Sequence, residues 1–435
     1  MVNRNQKKTR RKDTPAVSAK LDDGALIELV VDLGKSESAF AHWKGGAHRT
    51  VPFAVSGAQV RFVPYSPSNN LIRHKVVLFP ARADDYDSDQ SLAKEVSAYI
   101  HRYTDVSPRF ERIARAYVLL SWIFEGFNEL PYLRLRGDFG TGKTRFLLTV
   151  GAICNRPIFA SGASTVSPLF HILDAFHGTL LIDEADFRFS DEKADIVKIL
   201  NNGNVRGLPV LRSEVSKSGE VNPRAFDVFG PKIIAMRGQF ADRALESRFI
   251  TEDLGARKLR SDIPINLPSC YQDDALRLRN KLLLFRFRNL GRRQLRSVDL
   301  PIEPRLRQIF APLVSAAPDE ETQQELLALA EDYHRDLVAD RGMDIEAQVL
   351  EAVREALSKH DRPNLPIADI ALCFQGRYGE EFGHQVTNRW IGSILRRRLH
   401  LRTQKSHGVY VVPMSERPRL AQLFERYGLA PADKL

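Results

Sequence analysis

The sequence holds few of the residues that staple or clip a small fold. It has three cysteines among 435 residues, Cys154, Cys270 and Cys373, which lie far apart and form no CxxC pair. A disulfide framework and a thiolate zinc site are therefore not expected, and a reducing cytoplasm suits the chain. No apolar run reaches the roughly 20 residues of a spanning helix. The N-terminus is charged and has no apolar stretch of the kind that a secretory signal needs. Neither a membrane partner nor export is expected. Internal repeats and sustained heptads are missing as well.

Positive charge is in excess, with a formal net charge of +10. A polyanion partner is plausible on that ground, although charge alone says nothing of fold. The excess is uneven. Residues 1–20 contain seven Lys or Arg and one Asp. Such a stretch has almost nothing to bury, so a disordered basic tail is expected, able to hold phosphates or merely to solubilise.

The length suggests two to four domains. Residues 21–90 carry short β-type runs, Ala25–Val31 and Gln59–Val63, between Gly, Ser, Pro and Asn punctuation, and read as a small β-rich N-terminal module. Helices are expected over about 91–103 and 107–127. From Pro131 strand and helix alternate, as in a parallel sheet covered by helices, so the fold class is α/β. The expected boundaries are 91–265 for this core, 266–340 for a helical lid or linker and 341–435 for a compact end domain.

Gly137-Asp138-Phe139-Gly140-Thr141-Gly142-Lys143-Thr144 fits GxxxxGK[ST] directly after the strand Tyr132–Arg136 and at the start of a helix. This is the context a P-loop requires. The glycines let backbone N–H groups face phosphate oxygens, and the helix N-terminus adds its positive end. Lys143 would reach the β- and γ-phosphates of ATP, and the Thr144 hydroxyl would ligate Mg²⁺. Thr179-Leu-Leu-Ile-Asp183-Glu184 is an apolar strand ending in carboxylates, the Walker B pattern. Asp183 is the expected metal-holding carboxylate and Glu184 the general base, which favours hydrolysis over a passive switch. Asp183–Asp186 also spells DEAD, but no HRxGRxxR element occurs, so the tetrapeptide is incidental to Walker B.

Asp227–Gly238 followed by Asp242-Arg-Ala-Leu-Glu-Ser-Arg-Phe-Ile250 resembles the AAA+ superfamily, and Ala244–Phe249 resembles the ALxSRF element of MCM-type replicative helicases. By that resemblance Arg248 is the arginine finger, with Arg243 the weaker candidate. A finger acting in trans implies a homo-oligomeric ring or filament, and a hexameric ring is expected by the same resemblance. The short spacing between the Walker motifs and the segment Ile196–Arg206 resemble the superfamily 3 helicases of viruses and mobile elements. In that group a hairpin follows whose tip touches DNA. Leu208–Arg212 would be one arm and Val215–Glu220 the tip, with Lys217 the DNA-binding residue. Two features depart from the pattern. Met236 and Arg237 stand where a small polar sensor is usual, and the second sensor is assigned only to the candidates Arg277 and Arg279.

Residues 345–415 resemble a winged helix, with helices over 346–359, 367–374 and 386–399 and a β-wing over 402–412 that turns at Gly408. In the third helix Trp390, Ile391, Ile394, Leu395 and Leu399 are spaced to pack inward. Arg389, Ser393, Arg396 and Arg397 share the other side. Gln385 to Lys405 contains six Lys or Arg and no carboxylate. DNA contact through Arg389, Arg396, Arg397 and Arg402 is expected, although winged helices also bind proteins. The implied protein is an ATPase that works on DNA as a helicase or translocase in replication of a mobile element, with replication proteins as further partners. Two alternatives stay open: an ATP-switched initiator or helicase loader, and a remodeller of protein partners.

Overall fold

The computed structural model describes residues 12–57, 60–162, 165–185, 190–215, 221–240, 242–255, 259–292, 298–342, 345–359, 363–379, 386–406 and 408–430. The chain divides into two compact units, residues 1–330 and 331–435.

The first unit begins with strands β1 (Lys12–Ala16), β2 (Ser18–Lys20), β3 (Leu26–Asp32), β4 (Glu37–Lys44), β5 (Ala47–Val51), β6 (Ala54–Ser56) and β7 (Val60–Pro64). They form an antiparallel sheet in the order β2-β3-β4-β5 and a small sheet in the order β1-β7-β6. The expectation of disorder to residue 20 is corrected here. Lys12–Ala16 pairs in parallel with Val60–Pro64, and Ser18–Lys20 pairs with Leu26–Glu28. The backbone ladder and the burial of Val17 hold this stretch despite its charged neighbours. These sheets do not carry a core of their own. Ile27, Leu29 and Phe40 share one apolar cluster with Ile158, Phe170 and Leu180 farther along the chain.

A single helical turn, α1 (Asn70–Arg73), leads to α2 (Asp89–Tyr103) and α3 (Pro108–Trp122). Ser107 caps α3 by accepting from the Phe110 N–H, and Pro108 sits in the first turn, where no amide partner is lost. Then come β8 (Tyr132–Arg136), α4 (Lys143–Thr149), β9 (Ile158–Ser161), α5 (Ser167–Phe176), β10 (Leu180–Asp183), α6 (Ser190–Asn202), β11 (Val210–Val215), β12 (Val221–Phe226), β13 (Lys232–Met236), α7 (Arg243–Glu246) and β14 (Phe249–Asp253). Five of these strands make one parallel sheet in the order β14-β8-β13-β10-β9. Its middle strands, Tyr-Leu-Arg-Leu-Arg, Leu-Leu-Ile-Asp and Lys-Ile-Ile-Ala-Met, are buried on both faces, which is why they read as apolar runs and not as alternation. β11 and β12 form a separate antiparallel hairpin. Its expected DNA-contacting residue, Lys217, lies outside the described residues. The unit closes with α8 (Cys270–Asn289), α9 (Pro304–Ala316) and α10 (Glu320–Gly342), which carries the chain into the second unit.

A buried ionic cluster ties the first unit together. Arg286 of α8 donates to Glu28 of β3 at 2.7 Å and to both carboxylate oxygens of Glu125, at 2.7 and 2.8 Å. Arg156 donates to the same Glu125 at 3.0 Å. Each charge is met by an opposite one, as burial requires. Beside it Trp43 of β4 stacks on Phe287 of α8 with ring centroids 5.6 Å apart.

The second unit contains α11 (Ile345–Lys359), β15 (Leu365–Pro366), α12 (Ile367–Tyr378), α13 (Asn388–Arg397), β16 (Gln404–Ser406), β17 (Val409–Val412) and α14 (Arg417–Arg426). The three short strands form a sheet in the order β15-β17-β16. Ile391, Ile394, Leu395 and Leu399 are buried with Val349, Val353, Ile370 and Phe374 in a core of its own. Thr387 caps α13 from the Trp390 N–H, and Trp390 meets Phe374 edge-on at 5.5 Å.

Candidate nucleotide site

The P-loop leaves the end of β8 and enters α4. Gly137 lies against the chain beyond β14, where a Cβ would stand 2.8 Å from the Leu254 carbonyl oxygen. Gly142 is the residue before α4 and has φ of 97°, a conformation that L side chains resist. Lys143 donates to the Gly137 and Asp138 carbonyl oxygens, both at 2.6 Å, so its ammonium sits within the curl of the loop. The Thr144 hydroxyl donates to Asp183 Oδ2 at 2.6 Å. The two motifs therefore meet at side-chain range, on the parallel strands β8, β13 and β10. A hydroxyl and a carboxylate converging this closely are the hard oxygen donors that suit Mg²⁺.

Asp183 and Glu184 both line a cleft of about 280 Å³ together with Phe139–Arg145 and Arg237. Consecutive residues of an extended strand point to opposite faces. Glu184 escapes that alternation because its backbone turns into the left-handed region, with φ of 54°. For a residue with a Cβ this costs about 1–2 kcal/mol. Its amide donates to Asp183 Oδ1 at 3.0 Å, and the next amide, Ala185, donates to the Ala235 carbonyl at 2.9 Å.

Arg237, which stands where a small polar sensor is usual, lies on the wall of this cleft with its guanidinium 3.5 Å from the Phe139 ring centroid. Phe139 is itself 74% exposed on the loop. A second cleft of about 430 Å³ adjoins the loop on its other side, between Thr104–Val106, Leu254, Leu259 and Ile263–Ile265. Arg145 of α4 anchors its floor by donating to the Pro264 and Ile265 carbonyls, each at 2.5 Å. This apolar space with a few polar edges beside a phosphate cradle has the character of a nucleobase pocket. Sequence reasoning missed it, since its walls come from three separated segments.

Arg248 lies at the other end of the sheet. Its carbonyl accepts from the amide of Tyr132, the first residue of β8, whereas the P-loop follows the last. The strand between them rises on the order of 13 Å. Arg248 donates to Asn201 Oδ1 at 2.6 Å, and among the described residues its buried Nε has no partner. It cannot serve its own P-loop. Arg243 opens α7, and its side chain lies outside the described residues. In the same element Glu246 receives a bidentate bond from Arg134 of β8, at 2.6 and 2.7 Å, which pins α7 to the sheet. Of the two second-sensor candidates, neither lines the clefts beside the P-loop. Arg277 is exposed and pairs with Asp274. Arg279 is buried, donates to the Ala152 and Phe79 carbonyls, and is pushed down to about 10 by that burial. Its role there is to hold α8 against the core.

In the second unit Arg389, Arg396 and Arg397 are exposed, as the helical spacing predicts, and so is Arg402 beyond the helix. Arg396 donates to the Thr403 hydroxyl at 3.2 Å. Among the described residues no carboxylate pairs with any of the four, so the surface of α13 and its following hairpin is electropositive. Among the described residues no cluster of His, Cys, Asp or Glu could hold a metal ion, and no helix is long and apolar enough to cross a membrane.

No protein-family model and no curated protein matches the chain. Among solved structures it is similar to the C-terminal region of NrS-1 in its apo form, at 9% identity over 89% of this chain and 96% of that one, with a TM-score of 0.35. It is also similar to the SCCmec type IV Cch, described as an active helicase, at 13% identity over 94% and 80% of the two chains and a TM-score of 0.37. A third likeness is to the JCV helicase, at 14% identity and a TM-score of 0.25, where the match spans 64% of that chain. These likenesses are distant, and the chemistry of the site stands on the residues described above.

Proposed function

We propose that this chain is an ATPase that acts as an oligomeric DNA helicase or translocase, with ATP bound at the P-loop and the finger, Arg248, supplied by a neighbouring copy. The observation that supports it best is the split of one catalytic set across a single sheet. Lys143, Thr144, Asp183 and Glu184 gather at one end, and Arg248 stands at the other.

In this reading the N–H groups of Gly140–Thr144 cradle the phosphates, and the base sits among Leu254, Leu259 and Ile263. Lys143 exchanges its two loop carbonyls for phosphate oxygens. Thr144 and Asp183 hold Mg²⁺, which when bound neutralises phosphate charge. Glu184 takes a proton from the attacking water. The electropositive face of α13, carrying Arg389, Arg396 and Arg397, together with Arg402 beyond it, meets DNA phosphates in the manner of a winged helix. Lys217 is assigned a second DNA contact by the resemblance of its segment to the superfamily 3 hairpin. A ring of six and a part in replication of a mobile element follow from the resemblance of Ala244–Phe249 and of the Walker spacing.

The test is strand separation on a forked DNA duplex with ATP, using Lys143→Ala as control. Unwinding by the wild type alone is expected. ATP turnover and duplex binding without unwinding would replace the helicase by the initiator or loader.

A further inference from the structure

We propose that Gly162 is a positioning residue for Glu184, holding the left-handed turn that brings this carboxylate into the cleft beside Asp183. The inference rests on the ATPase reading and adds to it a residue that touches neither nucleotide nor metal.

Gly162 follows the last residue of β9, and Ser161 lies in register with Asp183 on β10. The Gly162 amide donates to the Asp183 carbonyl at 2.8 Å, one bond beyond the regular ladder. The Glu184 carbonyl then folds back over Gly162. A Cβ built on Gly162 would stand 2.3 Å from that oxygen and 3.3 Å from its carbon. The obstructing atom is backbone, so no side-chain rotation can relieve it. Glu184 is therefore gripped on two sides: Gly162 leaves the space its carbonyl needs, and the Ala185 amide is tied to Ala235 of β13. With the turn in place both carboxylates line one cleft. In an extended backbone Glu184 would face the opposite side of the sheet. A methyl group at position 162 drives the Glu184 peptide toward that extended form. Lys143 and Thr144 lie outside this contact, and Asp183 meets Gly162 only through its backbone carbonyl, leaving its carboxylate on Thr144 undisturbed.

Gly162→Ala is expected to lower kcat for ATP by roughly 10- to 100-fold, the scale of a misplacement of about 1 Å. KM and the affinity for a fluorescent ATP analogue should stay within about 2-fold of wild type, since uniform binding is untouched. A double-mutant cycle separates positioning from damage. In a Glu184→Gln background, adding Gly162→Ala should cost no further activity, because the base it positions is already gone. Additive losses, or a joint fall in kcat, affinity and Tm, would overturn the assignment. So would an unchanged kcat. If Gly162→Ala does not fold, Ala185→Pro reaches the same turn from its other side, by removing the amide that ties it to Ala235 and by biasing Glu184 toward extended backbone. The same selective loss of kcat is expected there, and its absence counts against the proposal. A wild-type protein without ATP turnover would instead sink the reading on which the proposal rests.

Discussion

Two neighbouring carboxylates at the end of β10 stand in different settings. Asp183 accepts from the Thr144 hydroxyl and from the Glu184 amide, whereas among the described residues no donor engages the Glu184 carboxylate. Glu184→Gln should therefore remove a proton acceptor and disturb no contact. A loss of about 10²- to 10⁴-fold in ATP turnover is expected, with nucleotide affinity and Tm unchanged. Steady-state turnover beside a binding titration checks this, and an equal loss of affinity would contradict the assigned role. That Lys143 and Thr144 stand at a loop-to-helix junction was legible because the P-loop motif has a fixed internal spacing, and Asp183 because it ends an apolar strand. The backbone at Glu184 was not. Left-handed conformations favour Gly, Asn and Asp, and nothing in a Glu announces one. Arg237 lies between these cases. Its position after β13 was legible, but its stacking on Phe139 depends on how the loop folds in space.

At the scale of elements α8 shows how a helix read correctly can carry an unforeseen role. Its span was expected as part of a helical lid, and attention fell on Arg277 and Arg279. The residue that binds the unit together is Arg286, two turns farther on, through Glu28 and Glu125. Burial pushes the Glu125 carboxyl up, but Arg286 and Arg156 outweigh it, and the group is held below its ordinary value. A carboxyl with a lowered folded pKa contributes stability that is complete above the unfolded value, about 4.3, and that is lost as pH falls through the folded one. Arg286→Met leaves the buried Glu28 carboxylate without its ion-pair partner and Glu125 with Arg156 alone. A destabilisation of about 3–5 kcal/mol at pH 7 is expected. The difference from wild type should narrow as the pH falls below the unfolded carboxyl value, about 4.3, and the stability contributed by Glu125 is lost. Urea unfolding at pH 7 and pH 3.5 measures both, and a gap that widens in acid would refute the account. Sequence offered no signal for this cluster, since its members are more than 250 residues apart at the extreme and share no pattern.

At the scale of the whole molecule the sheet order sets Arg248 at the end of the sheet away from the P-loop of the same copy. β14 and β8 run parallel, so the residue that precedes β14 is carried to the start of β8, and the P-loop follows its end. Element order along the chain was legible from the alternation of strand and helix, but the side-by-side order of β14, β8 and β13 depends on crossovers that no local pattern encodes. Arg248→Ala should then bind ATP normally and lose turnover by about 10³-fold or more, as loss of a finger does. The same is expected of turnover in Lys143→Ala, which keeps its Arg248 but has a damaged P-loop. Mixed at equal amounts and allowed to exchange, the two inactive proteins should regain activity. An intact P-loop from one would face an intact arginine from the other at about a quarter of interfaces in a randomly assembled ring. ATP turnover after mixing, followed over the time that subunits take to exchange, reads this directly. Recovery places Arg248 in trans. A mixture as inactive as its parts, although shown to co-assemble, would mean that the arginine serves only to bond Asn201 and fix the start of β14.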